Sequence, residues 1–270
     1  MSMELMERIL IVGCGNMGGA ILQGWLRSGM EPSRFTIADP GLEAAPEGVA
    51  LVREVPEEAF DVVLLGVKPQ LLDAVAPQVT KAVGARTVLL SILAGVELAT
   101  LSGRFSSNGG LVRLMPNLAA AIGKSPLALV GEGLREQDRA ALESLLQPLG
   151  SPEWLQDETL FDAVTALSGC GPAFVYRFID SLAAGAVALG IAPAQAQRLA
   201  LATTEGAALL AASSPYGPGE LARRVASPGG STQAGLDVFD TDEKLLRLVE
   251  EAMRAAERRS AEMGKAARGG

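Results

Sequence analysis

Residues 8–25, R-I-L-I-V-G-C-G-N-M-G-G-A-I-L-Q-G-W, constrain the fold more than any other stretch of the chain. An unbroken apolar run leads into Gly13, Gly15 and Gly18, and a helical pattern opens near Asn16. Continuous apolar runs suit strands buried on both faces, and such strands belong to parallel sheets covered by crossover helices. The first glycine allows a tight turn, the second a close approach of backbone to ligand, and the third close packing of helix on strand. The helix N-terminus then presents unpaired N–H groups and the positive end of its dipole to an anion. A second apolar run, F-T-I-A-D, ends on Asp39, at the separation where an acid meets a ribose 2′-hydroxyl. The spacing predicts a dinucleotide-binding βαβ unit. A carboxylate there accepts the hydroxyl of NAD and repels a 2′-phosphate, which leans the reading toward NADH. No arginine follows Asp39 closely, and the nearest, Arg34, precedes the strand. The plainer alternatives are a glycine-rich turn without a ligand and, for Asp39, a turn residue before Pro40.

The same texture continues through the first half. Apolar runs at 9–12, 35–38, 62–66, 87–91 and 111–115 alternate with helical patterns that begin near Asn16, Gln70, Glu97 and Arg135. After about Ala163 the runs give way to long Ala/Leu-rich segments at 172–189, 193–212, 218–225 and 241–261, punctuated by proline or glycine. The expected fold class is an α/β N-terminal Rossmann-like domain with a mostly parallel, doubly wound sheet, residues 1–160, followed by an all-α domain, residues 161–270.

Histidine is absent from the 270 residues, and only Cys14 and Cys170 are cysteines. Ser-His-Asp and Cys-His nucleophiles, histidine acid/base chemistry and His- or Cys-rich metal sites are excluded together, so no metal is expected. Chemistry must come from a cofactor or from hydrogen bonding. A net charge of −8 disfavours nucleic acid and anionic membranes as partners and points to small molecules. The longest apolar tract, 181–212, is broken by Pro193 and carries Arg198 and Glu205, so it does not read as membrane-spanning. Two cysteines without a disulfide framework, and a start that lacks a basic segment before an apolar run, fit a cytoplasmic location.

Three further segments fall just past predicted strands, at the expected rim of the cleft: L-L-G-V-K-P-Q (64–70), S-I-L-A-G-V (91–96) and L-M-P-N (114–117). Lysine before proline is held extended, which can aim Lys68 across the carboxyl ends of the strands; a solvated lysine at a strand end is the alternative. In the second half, V-A-S-P-G-G-S-T-Q-A-G (225–235) joins an adjacent pair of glycines and three hydroxyls to a following helix, with no charge. It lacks the lysine of a phosphate-cradling loop, so it suits a smaller anion such as a carboxylate, unless it is only a helix-capping turn.

Taken in order and spacing, G-C-G-N-M-G-G-A, V-K-P, L-A-G-V, M-P-N, L-S-G-C-G-P-A-F (167–174) and S-P-G-G-S-T-Q-A-G resemble the pyrroline-5-carboxylate reductase family over essentially the whole chain. The S-G-x-G-P-A and S-P-G-G-x-T segments are the most specific. The resemblance implies reduction of Δ1-pyrroline-5-carboxylate to L-proline by NAD(P)H, a helical domain that dimerises, and an obligate homodimer that in this family can assemble into a ring of dimers. It implies Gly13, Gly15, Asn16, Met17 and Gly18 along the pyrophosphate, with Val67, Lys68, Pro69, Ala94 and Gly95 at the nicotinamide end. Ser227, Gly229, Gly230, Ser231 and Thr232 become carboxylate binders, with the Thr232 hydroxyl near the ring nitrogen as the catalytic group. Ser168 and Gly171, in the segment that opens a long helix, lie beside the substrate. A protonated cyclic imine is already a strong electrophile, so the missing histidine costs nothing.

The chain departs from the family pattern at Ala222, where a basic residue is frequent and where Arg223 and Arg224 follow instead, and at Cys170, where serine is usual. Two other readings fit the sequence less well. A β-hydroxyacid or other imine reductase needs, for the former, a helix lysine, and residues 169–180 contain only Arg177 as a basic group. A non-catalytic NAD(P)-binding oligomeric module has no use for the 225–235 loop.

Overall fold

The computed structural model describes residues 6–106 and 108–268, with side chains through 265. Eight strands, β1 (Ile9–Val12), β2 (Phe35–Ala38), β3 (Ala50–Val52), β4 (Val62–Leu65), β5 (Val88–Ser91), β6 (Gly110–Met115), β7 (Ser125–Glu132) and β8 (Gly150–Trp154), form one sheet in the order β3-β2-β1-β4-β5-β6-β7-β8. The first six run parallel; β7 pairs antiparallel with β6, and β8 runs parallel to β7. Helices α1 (Asn16–Arg27), α2 (Leu72–Val79), α3 (Leu98–Ser102), α4 (Glu136–Leu146) and α5 (Phe161–Val164) join or follow these strands. The chain then continues through α6 (Gly171–Ala188), α7 (Pro193–Ser213), α8 (Pro218–Val225), α9 (Ser231–Asp240) and α10 (Lys244–Arg268).

The unbroken apolar strands are explained by two cores, one on each face of the sheet. Alternate residues of a strand point to opposite sides. Ile9, Ile11, Val62, Leu64, Val88 and Leu90 pack with Ile21, Leu22 and Trp25 of α1 and with Leu142, Leu145 and Leu146 of α4. Their sequence neighbours Leu10, Val63, Leu65 and Leu89 pack on the other face with Leu72, Ala76 and Val79 of α2 and with Leu98 and Leu101 of α3. Trp25 is fully buried, stacks on Phe35 with ring centroids 5.4 Å apart, and donates its indole N–H to the Leu145 carbonyl at 2.8 Å.

The predicted strands at 9–12 and 35–38 match β1 and β2 in full, and those at 62–66, 87–91 and 111–115 match β4, β5 and β6 to within a residue at an end. Three strands were not predicted. β3 is three residues long, and β7 and β8 contain Pro126 and Pro152, which remove ladder donors and mask the strand pattern. In the helical half, the segment expected at 241–261 begins later: a turn at 241–243 with Asp242 and Glu243 at positive φ precedes α10, which runs on to Arg268.

The chain forms two compact units, Met1–Gly169 with Ala256–Gly270, and Cys170–Ala255. Two features differ from the expected domains 1–160 and 161–270. The turns at 158–169 pack with the sheet, where Phe161 is buried in one of its cores, and the last turns of α10 return to the first unit. Among the described residues no helix is long and apolar enough to cross a membrane.

Removing a large buried aromatic ring costs about 3–5 kcal/mol. Trp25→Ala is therefore expected to lower the thermal midpoint by roughly 10 °C. A differential scanning fluorimetry shift under 2 °C, a threshold set at about 1 kcal/mol or less, would contradict this packing.

Candidate active site

All strands from β1 to β6 are parallel, so the loops after β1, β2, β4, β5 and β6 share one edge of the sheet. The order reverses between β1 and β4, the switch point where open α/β sheets take ligands. Gly13 turns the chain there with φ +83°, donating its N–H to the Ala38 carbonyl at 3.0 Å. A Cβ at Gly13 would lie 2.8 Å from Val67 Cγ1 and 2.9 Å from Val67 N, so no side chain fits. A Cβ at Gly18 would stand 2.9 Å from the Gly13 carbonyl, which gives this glycine the packing role its spacing predicts. Around Gly15 nothing lies within 4 Å of a built Cβ, and Gly15 is the N-cap of α1 with no side chain capping the helix. The backbone thus leaves an open cradle at a helix N-terminus beside Asn16 and Met17, a fit to a dinucleotide pyrophosphate.

Asp39 is half-buried at the end of β2. One carboxylate oxygen accepts the Cys14 N–H and the other the Gly41 N–H, both at 2.8 Å, so its position is set by the glycine turn itself. Burial, and then the Asp39 carboxylate, push the Cys14 thiol above its ordinary value of 9.0, which keeps it protonated at neutral pH. An arginine does stand at this turn, supplied from beyond the next strand: Arg53, one residue past β3, reaches back to it. Its Nη1 donates to the carbonyls of Asp39 and Pro40 at 3.2 Å and of Leu42 at 2.6 Å. Strand β3 pairs with β2, and that missed pairing is the signal that would have found Arg53.

Lys68 is exposed and extended (φ −65°, ψ 140°) before Pro69, as the dipeptide predicts, and caps a short turn at the end of β4. Ala94 and Gly95 lie in the loop after β5, with Gly95 at φ +73°. Asn117 is spent on structure: it accepts the Ala119 N–H at 2.9 Å, donates to the Ser168 carbonyl at 2.9 Å, and its own N–H reaches the Ser125 hydroxyl at 2.9 Å. The Ser168 hydroxyl is buried and donates to the Val164 carbonyl at 2.9 Å inside a π-helical turn, so it offers no free donor.

In the second unit, residues 226–230 form an exposed loop into α9. Gly229 has φ +72°, the Gly230 N–H donates to the Ser227 carbonyl at 2.9 Å, and Gly230 is the N-cap of α9 with no side chain capping it. Ser231 and Thr232, both exposed, occupy the first turn. The start of α9 is therefore a helix N-terminus without a side-chain cap, flanked by two adjacent hydroxyls. Arg223 and Arg224 are held by Glu220 at 2.8 and 2.9 Å, and the Arg224 guanidinium lies 3.6 Å from the Tyr216 ring centroid. Gly171 opens α6, for which Cys170 is the N-cap. The structure gathers Gly13 to Gly18, Asp39, Val67 to Pro69, Ala94 and Gly95 on one sheet edge of the first unit, and Ser227 to Thr232 on one loop of the second.

Sequence reading also missed Arg113 and Glu158. Arg113 is 4% exposed, bonds Glu158 at 2.6 Å and lies 3.8 Å over the Phe161 ring. Burial lowers its pKa, which Glu158 and then Asp162 oppose. Glu158 also accepts the Leu98 N–H at 2.8 Å. The only signal was a charge inside an apolar strand. Among the described residues no group of three or more His, Cys, Asp or Glu side chains could hold a metal ion.

Residues 158–263 match the family described as pyrroline-5-carboxylate reductase dimerisation, and residues 8–95 match NADP oxidoreductase coenzyme F420-dependent. A pyrroline-5-carboxylate reductase of Pseudomonas aeruginosa is 37% identical over 267 residues, 96% of this chain and 97% of that protein. A pyrroline-5-carboxylate reductase from Coxiella burnetii has a similar structure, with TM-score 0.87 and 26% identity over 95% of this chain and 98% of the other. The crystal structure of Plasmodium falciparum pyrroline carboxylate reductase with NADP bound gives TM-score 0.82 and 25% identity, over 96% and 99% of the two chains. With more than a third of its residues identical to those of a pyrroline-5-carboxylate reductase along nearly its whole length, the chain belongs to the pyrroline-5-carboxylate reductase family.

Proposed function

We propose that the protein reduces Δ1-pyrroline-5-carboxylate to L-proline with NAD(P)H, and that two glycine-turned helix N-termini divide the work of binding. The observation that carries this is the uncapped start of α9, where backbone N–H groups and two hydroxyls stand free of partners in a loop without charge. The main-chain N–H groups of Gly229, Ser231 and Thr232 and the Ser227 and Ser231 hydroxyls bind the carboxylate of the ring, while the Gly230 N–H closes the loop on the Ser227 carbonyl. Thr232 is the catalytic residue of this reading: its hydroxyl oxygen accepts the N–H of the protonated imine and holds the ring in one orientation. Orienting two reactants can contribute about 7 kcal/mol or more to a barrier. Gly13, Gly15, Asn16, Met17 and Gly18 hold the pyrophosphate; Val67, Lys68, Pro69, Ala94 and Gly95 face the nicotinamide end. Bound reduced nicotinamide supplies the hydride. Ser168 and Gly171 act through the fold beside the substrate, because the Ser168 hydroxyl is already bonded.

Asp39 supports NADH as the preferred dinucleotide, since a carboxylate fixed by two backbone N–H groups cannot swing away from a 2′-phosphate. Arg53 is the counterweight. Its guanidinium is tied to three carbonyls, yet it places a positive charge at the same turn, so NADPH is used more weakly rather than rejected.

The assembly we infer is an obligate homodimer, with a ring of dimers as its further form. Buried residues of the 170–255 unit are Ala183, Ala196 and Ala200, while Tyr176 is 68%, Leu201 56% and Leu210 62% exposed. So small a core does not offset the ordering of five helices, and such apolar surface calls for a second copy. Free cysteines and a small-molecule imine acid as the partner fit a cytoplasmic enzyme.

Initial rates with the imine acid and equal NADH or NADPH are expected to favour NADH about three- to ten-fold in kcat/KM; an NADPH preference overturns the role given to Asp39. Thr232→Ala is expected to lower kcat about ten-fold or more without moving the pH profile, because no titrating group is lost; a rate within two-fold of wild type removes Thr232 from the mechanism. Light scattering at micromolar concentration is expected to give a dimer or a multiple of it, and a monomer would contradict the interface.

A further inference from the structure

The loop at Ala94–Gly95 is held by residues that the nucleotide-binding βαβ units do not supply. Gly95 meets Gly264, a buried residue near the end of α10, backbone to backbone: a Cβ at Gly95 would lie 2.7 Å from Gly264 Cα and 2.8 Å from its N. In the other direction, a Cβ at Gly264 would come 3.3 Å from the Gly95 carbonyl oxygen. One turn earlier, the Ser260 hydroxyl bonds the Asp162 carboxylate at 2.6 Å, fixing this end of α10 to α5. At its far side the loop enters α3, where the Leu98 N–H donates to Glu158 at 2.8 Å. Glu158 is fixed in turn by the buried Arg113 at 2.6 Å. A cavity of about 410 Å³ bordered by Gly95, Arg113, Phe161 and Gly264 gives the loop room to shift if these holds are lost.

We propose that the last turns of α10 act as a strap on the Ala94–Gly95 loop, with Gly264 and Ser260 as positioning residues that set how tightly the dinucleotide is held. The proposal rests on the reading that this loop faces the nicotinamide end. Neither residue touches reacting atoms; each acts through where it places Gly95. The strap explains why a glycine at positive φ stands opposite a second glycine: a Cβ on Gly95 would collide with the α10 backbone, and one on Gly264 would press on the Gly95 carbonyl.

The test is titration of the full-length protein with NADH and with NADPH in the absence of imine, read by nicotinamide fluorescence. Gly264→Val is expected to weaken dinucleotide binding about ten-fold, and Ser260→Ala about three-fold, with Ser260→Thr restoring wild-type affinity. In turnover, KM for the dinucleotide rises while kcat at saturation stays within two-fold, and Ser260→Ala keeps the wild-type melting temperature and oligomer size. If Gly264→Val does not fold, the Ser260→Ala and Ser260→Thr pair decides. Wild-type protein that binds neither dinucleotide overturns the reading beneath the strap. Wild type that binds, with Ser260→Ala and any folded Gly264→Val binding as well or more tightly, overturns the strap alone.

Discussion

The contact between the turns that follow β1 and β4 is the constraint on which the rest of the first unit depends. At that crossing the backbone is so close that a Cβ at Gly66 would lie 2.5 Å from the Gly13 carbonyl, and one at Gly13 would enter Val67. The glycines keep β1 and β4 in register, with Ile9 opposite Val62 and Val12 opposite Leu65, and so align the carboxyl ends of the strands. Because the sheet is covered on both faces, a shift at this point would propagate into two packed cores at once. The same turn orients Asp39 through the Cys14 N–H, so the carboxylate proposed to read the ribose is placed by the turn proposed to receive the pyrophosphate.

Much of this architecture was legible because it rests on local patterns. The glycine spacing, the acid after F-T-I-A and the lysine before proline each depend on backbone chemistry that a few neighbouring residues determine, and each lies where the pattern puts it. What escaped is non-local. Strand β8 acquires its pairing from β7, and β7 from β6, so G-S-P-E-W carries no periodicity of its own. Arg53 bonds a turn more than ten residues back, and Glu158 bonds Leu98 sixty positions away. Residues that position a loop leave a weaker trace than residues that line one, because any well-placed donor or carboxylate can serve.

The two units solve stability differently. The sheet unit buries its apolar strands within one chain. The helical unit leaves large apolar side chains on α6 and α7 facing outward and keeps only alanines inside, the surface on which the proposed dimer rests. If the proposed dimer is obligate, formation of the helical unit is coupled to protein concentration, while the sheet unit has its own core.

The ends of the sheet carry a consequence for how copies of the chain meet. An uncovered strand edge is an open template for pairing with another molecule. Here one margin is the three-residue β3 and the other is β8, where Pro152 withholds an amide hydrogen from any incoming ladder. Both margins are therefore poor starting points for fibrous or mispaired aggregates, and recognition between copies falls to side chains on helices, where shape can discriminate self from non-self.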